Sequence, residues 1–167
     1  MKTYLKWAFI IVNLAFLAPH QCALLAQNNT EDEMVVKNSE AADFHQAPIM
    51  PQCFAGALQR INRSTGSAVF LVRVVGNSGC TVPSHWHSSG EQITVVSGTV
   101  KVGMQDGKSF ELKEGGFAYI PSKHVHVFSC SGPCAHFVQS DGPYDIHYVN
   151  KEGKEITLAE ALKSVSQ

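Results

Sequence analysis

A chain of 167 residues, 44% hydrophobic and only 16% charged, has room for one compact core and little beyond it. The formal net charge of -1 provides no basic field, and no Lys/Arg stripe runs along the chain, which excludes nucleic acid as a natural partner.

The first 26 residues have the order of a secretory signal peptide. Lys2 and Lys6 precede an apolar run over 8–18 broken only by Asn13, and Pro19 and the small residues Ala23 and Ala26 follow. The run is shorter than the roughly 20 residues that span a bilayer, so cleavage after Ala23 or Ala26 is expected, with no membrane attachment afterwards. The mature protein is then periplasmic or secreted. Residues 27–46 start acidic (Glu31, Asp32, Glu33) and show no period of 2 or 3.6, the pattern of a flexible lead-in.

From there to Asn150 short β-like runs follow one another, over 53–61, 68–75, 80–87, 92–96, 99–104, 110–112, 116–120, 124–130, 135–139 and 144–149. Asp106-Gly107 between two of them is a hairpin signal. About ten strands at close spacing with no helix among them predict a β-sandwich or barrel over 47–150. One helix closes the chain within 151–167. Thr157 and Glu160 have the spacing of a capping box, with Leu158, Ala161 and Leu162 as its apolar stripe.

Export would put Cys53, Cys80, Cys130 and Cys134 where disulfides persist. Four cysteines allow three pairings. The turn Cys130-Ser131-Gly132-Pro133-Cys134 can bring its ends together, with Cys53 and Cys80 as the complement. A soft metal site and four buried thiols are the alternatives that spacing leaves open.

The chemistry concentrates between Gly79 and Gly98. His85 and His87 point to one face of a strand while Trp86 points to the other, and Glu91 follows four residues later. Two imidazoles and a carboxylate on neighbouring strands suit a divalent transition metal. Gly79, five residues, His85, Trp86, His87, three residues, Glu91, six residues and Gly98 resemble the first motif of the cupin superfamily position for position. Gly115, Pro121, Lys123, His126 and Cys130 resemble its second motif. Lys123 stands where that motif has a turn glycine, and Cys130 where it has asparagine.

The resemblance implies an all-β cupin jelly-roll barrel (a double-stranded β-helix), a homodimer, and one metal held by His85, His87, Glu91 and His126. Three neutral imidazoles and one carboxylate suit Mn, Fe, Co, Ni, Cu or Zn. His124 shares the parity of His126 on a simple strand, as a group behind the ligands or a substitute for one. The Lys123 turn is expected in a lysine-compatible shape, although a left-handed one would cost only about 1 kcal/mol. His136 and His147 lie on later strands with no defining spacing. The function expected is that of a metal-dependent enzyme, dioxygenase-like or an isomerase or lyase, acting on a small organic molecule. Glu91 is its candidate base. The alternative is a non-catalytic barrel that binds metal, or a small ligand through metal.

Overall fold

A computed structural model of the protein describes residues 34–165. The signal-peptide reading of residues 1–26 lies outside that range. Ten strands follow in chain order: β1 (Phe54–Ile61), β2 (Ala68–Val74), β3 (Cys80–Trp86), β4 (Glu91–Ser97), β5 (Val100–Met104), β6 (Ser109–Leu112), β7 (Phe117–Ile120), β8 (His126–Cys130), β9 (Ala135–Ser140) and β10 (His147–Tyr148). They form two five-stranded antiparallel sheets, ordered β1-β2-β9-β4-β7 and β10-β3-β8-β5-β6. Sequence neighbours thus repeatedly sit in different sheets, the crossing pattern of a jelly roll.

Alternation places the core between the sheets. Phe54, Val72, Ile93, Val95 and Val138 point inward from the first sheet, and Val82, Val100, Val102 and Phe128 from the second; all are buried. Each such side chain contributes on the order of 1.5–3 kcal/mol by leaving water.

The expected strand at 144–149 shrinks to two residues, because Tyr144 and Asp145 leave the sheet and turn toward the barrel interior and the β3–β4 connection. Strand β8 begins at His126 and not at 124, since the turn over 121–124 is held by hydrogen bonds from Lys123 N–H to the His87 carbonyl (2.8 Å) and from His124 N–H to the Pro121 carbonyl (3.2 Å). Lys123 adopts φ 62° within that turn, so the left-handed shape of the motif glycine is kept without the glycine. This corrects the expected lysine-compatible turn.

The part of the lead-in that is described touches the barrel at a few points. Lys37 Nζ donates to the carbonyls of Leu58 and Gln59, the Arg73 guanidinium lies 3.9 Å over the Phe44 ring, and His45 bridges to Gly56. The helix α1 (Leu158–Val165) has the predicted capping box: Thr157 N–H donates to Glu160 Oε2 at 2.8 Å and Glu160 N–H donates to Thr157 Oγ1 at 3.3 Å. Ala161 is buried and the helix packs beside β3, on the barrel and not as a frayed tail.

Two disulfides, Cys53–Cys80 and Cys130–Cys134, choose among the three pairings. Cys80 and Cys130 stand opposite each other in the β3–β8 register, so both bonds lie at one end of the barrel. The motif glycines serve this corner. A Cβ on Gly79 would stand 2.6 Å from the Cys130 carbonyl oxygen, and Gly98, at φ 78°, lies against Pro133 and Cys134.

Candidate metal centre

At the other end of the β3–β8 pair, His85 stands opposite His126. The register slips between Val82 and His85, where Pro83 removes a ladder donor. That irregularity frees the Pro83 carbonyl to accept the Nδ1–H of His85 at 2.7 Å. His126 repeats the arrangement with the carbonyl of His124 at 3.0 Å, and His87 donates Nδ1–H to the carbonyl of Asp145. A carbonyl only accepts, so each Nδ1 carries the proton and each Nε2 keeps its lone pair. One ring nitrogen from each of the three histidines lies within 4.8 Å of the other two.

Glu91, the first residue of β4, comes from the opposite sheet. Its Oε2 lies 3.4 Å from His126 Nε2 and 3.5 Å from His87 Nε2. All four side chains are buried, yet His87 Nε2, His126 Nε2 and Glu91 Oε2 hydrogen-bond to no described protein atom. Buried polar atoms without partners are costly, at about 1–3 kcal/mol each, and three of them converging is what an ion-binding site requires.

Electrostatics favour the ligating forms. Burial, and secondarily His126 and His87, hold the His85 imidazole well below its ordinary pKa, against the Pro83 carbonyl, so the ring is neutral. Burial pushes the Glu91 carboxyl up, but contact with His126 and the proximity of the His87, His126 and His136 rings pull it down further, leaving it below its usual range and ionised. The donor set of three neutral imidazoles and one carboxylate fits a divalent transition ion and disfavours Ca or Mg, which take oxygen shells.

The structure thus brings together His85, His87, Glu91 and His126, and excludes His124. The His124 ring is exposed and only its carbonyl participates, as the acceptor for His126. His147 lies outside the centre, stacked on Trp86 with ring centroids 3.9 Å apart and within 3.3 Å of Asp145 and Glu155. His136, by contrast, is buried at the cavity wall.

That cavity, about 30 Å³, is lined by His85, Glu91, His136 and Tyr144 together with apolar side chains that include Phe54 and Phe128. It shares Met50, Phe54, Val72, Val138 and Tyr144 with an apolar cleft of about 240 Å³ that continues past Ile49 and Phe70. Tyr144 packs between Phe70 and His87, with ring centroids 5.4 and 5.1 Å away. Burial first, then Glu91, pushes its phenol well above the ordinary range, so it stays a protonated donor. The sequence assigns no site role to Tyr144 or to the Asp145 carbonyl; the signal available there is the Gly142-Pro143-Tyr144-Asp145 stretch, where glycine and proline break a strand pattern.

Residues 62–138 match the family model of the cupin domain, a span that holds all four converging side chains. Solved structures with a similar fold include the polyketide cyclase RemF from Streptomyces resistomycificus (18% identity, 71% of this chain and 87% of that one, TM-score 0.57). An acetylacetone dioxygenase from Acinetobacter johnsonii is similar at 15% identity over 83% of this chain and 93% of that one, with TM-score 0.58. An RmlC-like cupin from Ralstonia eutropha is similar at 12% identity over 77% and 85%, also at 0.58. These likenesses concern the fold. Among curated proteins, none matches the chain by sequence.

Proposed function

This chain belongs to the cupin superfamily, and on that premise we propose that it is a metal-dependent enzyme of dioxygenase-like type acting on a small organic molecule. One divalent transition metal is held by His85, His87 and His126, with Glu91 as the fourth ligand. The observation that carries this is the convergence of three unpartnered buried atoms, His87 Nε2, His126 Nε2 and Glu91 Oε2. Such an ion would supply Lewis-acid or redox chemistry to a molecule beside it.

The chain's own groups do the rest. Glu91, ionised and facing the interior, accepts a proton from the bound molecule when it is not engaged as a ligand. Tyr144, held protonated, donates a hydrogen bond. The cleft beyond Met50 and Tyr144 is apolar, so it selects a compact molecule with few charges and excludes bulk water. Among proteins sharing the fold, one is named as a dioxygenase of acetylacetone, which supports the reaction class without naming this chain's substrate.

A second reading, a barrel that binds metal or a small ligand without turnover, is favoured by one observation: the space beside the cluster is about 30 Å³, room for little more than a water molecule. Enzymatic action therefore requires Met50 or Tyr144 to move. Elemental analysis of the purified protein, combined with a small-molecule screen that follows O2 uptake, separates the readings. Glu91→Gln should abolish uptake while the metal is retained; a ligand bound equally well by both proteins with no turnover in either points to the binder.

We further propose that the protein is exported after removal of residues 1–26; two disulfides support an oxidising compartment. A homodimer is supported by the exposed aromatic side chains of Phe110, Phe117 and Tyr119 on β6 and β7, the outer strands of the two sheets. Sedimentation would show twice the chain mass, and a monomer would refute it.

A further inference from the structure

Between the Cys130–Cys134 corner and the cavity wall, where His136 stands, lies a second group of ligating atoms. Cys130 Sγ, Cys134 Sγ and a ring nitrogen of His136 lie within 4.8 Å of one another, and all three residues are buried. His136 Nδ1 stands 3.9 Å from Cys134 Sγ, and this is the side chain's sole polar contact among the described residues. Its ring is otherwise enclosed by Phe128 and Phe54, with centroids 4.6 and 6.2 Å away. The imidazole is thus buried and aimed at a disulfide sulfur, a weak partner for a ring nitrogen that a metal ion could take instead.

We propose that Cys130, Cys134 and His136 form a redox-gated binding site for a thiophilic transition ion such as Zn(II), closed by the disulfide and opened by its reduction.

The dimensions allow it without a change of fold. Two thiolates on a tetrahedral ion with bonds of about 2.3 Å stand roughly 3.8 Å apart, and a thiolate and an imidazole roughly 3.5 Å. The Cα atoms of Cys130 and Cys134 are 6.1 Å apart, so side-chain rotation alone provides the first separation, and the present 3.9 Å contact nearly meets the second. The turn between them is exposed at Ser131 and Pro133, and a Cβ on Gly132 would meet nothing within 4 Å, so the turn has room to adjust. Two thiolates and an imidazole form a softer set than the first centre, selecting Zn(II) or Cu(I) over Mn or Fe. Cys80, across the strand pair from Cys130, is engaged by Cys53 and is not required.

The chemistry balances with a dithiol as reductant. The dithiol passes two electrons and two protons to the Cys130–Cys134 bond, becoming a disulfide itself and leaving two thiols. Binding of one divalent ion then displaces the two thiol protons.

The test uses the full folded protein, stripped by a chelator and titrated with Zn(II), before and after dithiol treatment followed by anaerobic removal of the reductant. The reduced protein should bind one more equivalent per chain than the oxidised protein, and Co(II) in place of Zn(II) should show a thiolate charge-transfer band only after reduction. Cys130→Ser with Cys134→Ser should lose the extra equivalent, whereas Cys53→Ser with Cys80→Ser should keep it. His136→Phe should bind it roughly tenfold or more weakly. Should the serine variants fail to fold, release of the extra ion on reoxidation of the wild type serves in their place. Equal stoichiometry in both redox states, a Cys130–Cys134 bond that a dithiol does not open in the folded protein, or an extra equivalent that survives the double serine substitution would each overturn the proposal. His85→Ala isolates this site, so failure of the first centre would be seen separately.

Discussion

His85 and His126 face each other across the β3–β8 pair with ring centroids 4.1 Å apart, and each donates its Nδ1–H to the carbonyl two residues before it, Pro83 and His124 respectively. The same local device on two antiparallel strands aims both Nε2 atoms inward. Main-chain atoms thus fix the tautomers, and no side chain behind the ligands is needed to do so.

Metal removal follows from this directly. An ion that binds only the folded barrel adds about 2.7 kcal/mol of stability when free ion is 100-fold above its dissociation constant. Thermal unfolding should therefore shift upward with added Zn(II) and fall with a chelator, and His85→Ala should show neither response. A chelator-insensitive melting curve in the metal-loaded wild type would contradict it.

A pH dependence comes from His136. Burial lowers its imidazole to about 4, opposed by Glu91, while the unfolded chain titrates near the ordinary 6.5. As pH falls below 6.5 the unfolded state takes up a proton that the folded state refuses until about pH 4, so stability declines through that window, by about 3 kcal/mol in total. Above pH 6.5 this contribution is constant. Urea unfolding of the chelator-treated protein at several pH values should show a shallower acid decline for His136→Phe than for wild type; parallel curves would refute the assignment.

The two disulfides should differ in their contribution to folding. Chain entropy assigns about 3.5 kcal/mol to a bond across 27 residues and about 2 kcal/mol to one across four. Denaturation of Cys53→Ala with Cys80→Ala, beside Cys130→Ala with Cys134→Ala, should show the larger loss in the first pair. The reverse order would mean that the short bond supports packing of the corner beyond what loop closure supplies.

Lys123 carries a smaller, testable strain. At φ 62° a β-carbon costs about 1 kcal/mol, and glycine returns part of the gain through its freer unfolded chain. Lys123→Gly should stabilise the protein by about 0.5–1 kcal/mol with metal affinity unchanged. A loss of stability would show that the lysine side chain contributes contacts worth more than the strain.

The strands are legible where burial alternates, as it does along β8 and β9. Val82, Val100, Val102 and Phe128 fall on the buried face wherever period 2 predicts, and the spacing of His85, His87, Glu91 and His126 spans three strands that do pair or face one another. What was not legible depended on irregular backbone. Parity placed His124 beside His126, but the turn over 121–124 starts the strand later and leaves the ring exposed. The β-like run over 144–149 predicts Tyr144 in a strand although Pro143 precedes it, and the chain there turns inward. His136 had no motif, and its burial follows only from the β2-β9-β4 order, a long-range arrangement that local patterns do not encode.

The most direct test of the central claim is elemental mass spectrometry of the oxidised protein, purified without added metal, beside a His85→Ala/His126→Ala variant confirmed as folded. One transition-metal ion per chain in the wild type and none in the variant is the predicted result. No bound ion in the wild type, or the same ion content in both, would contradict it.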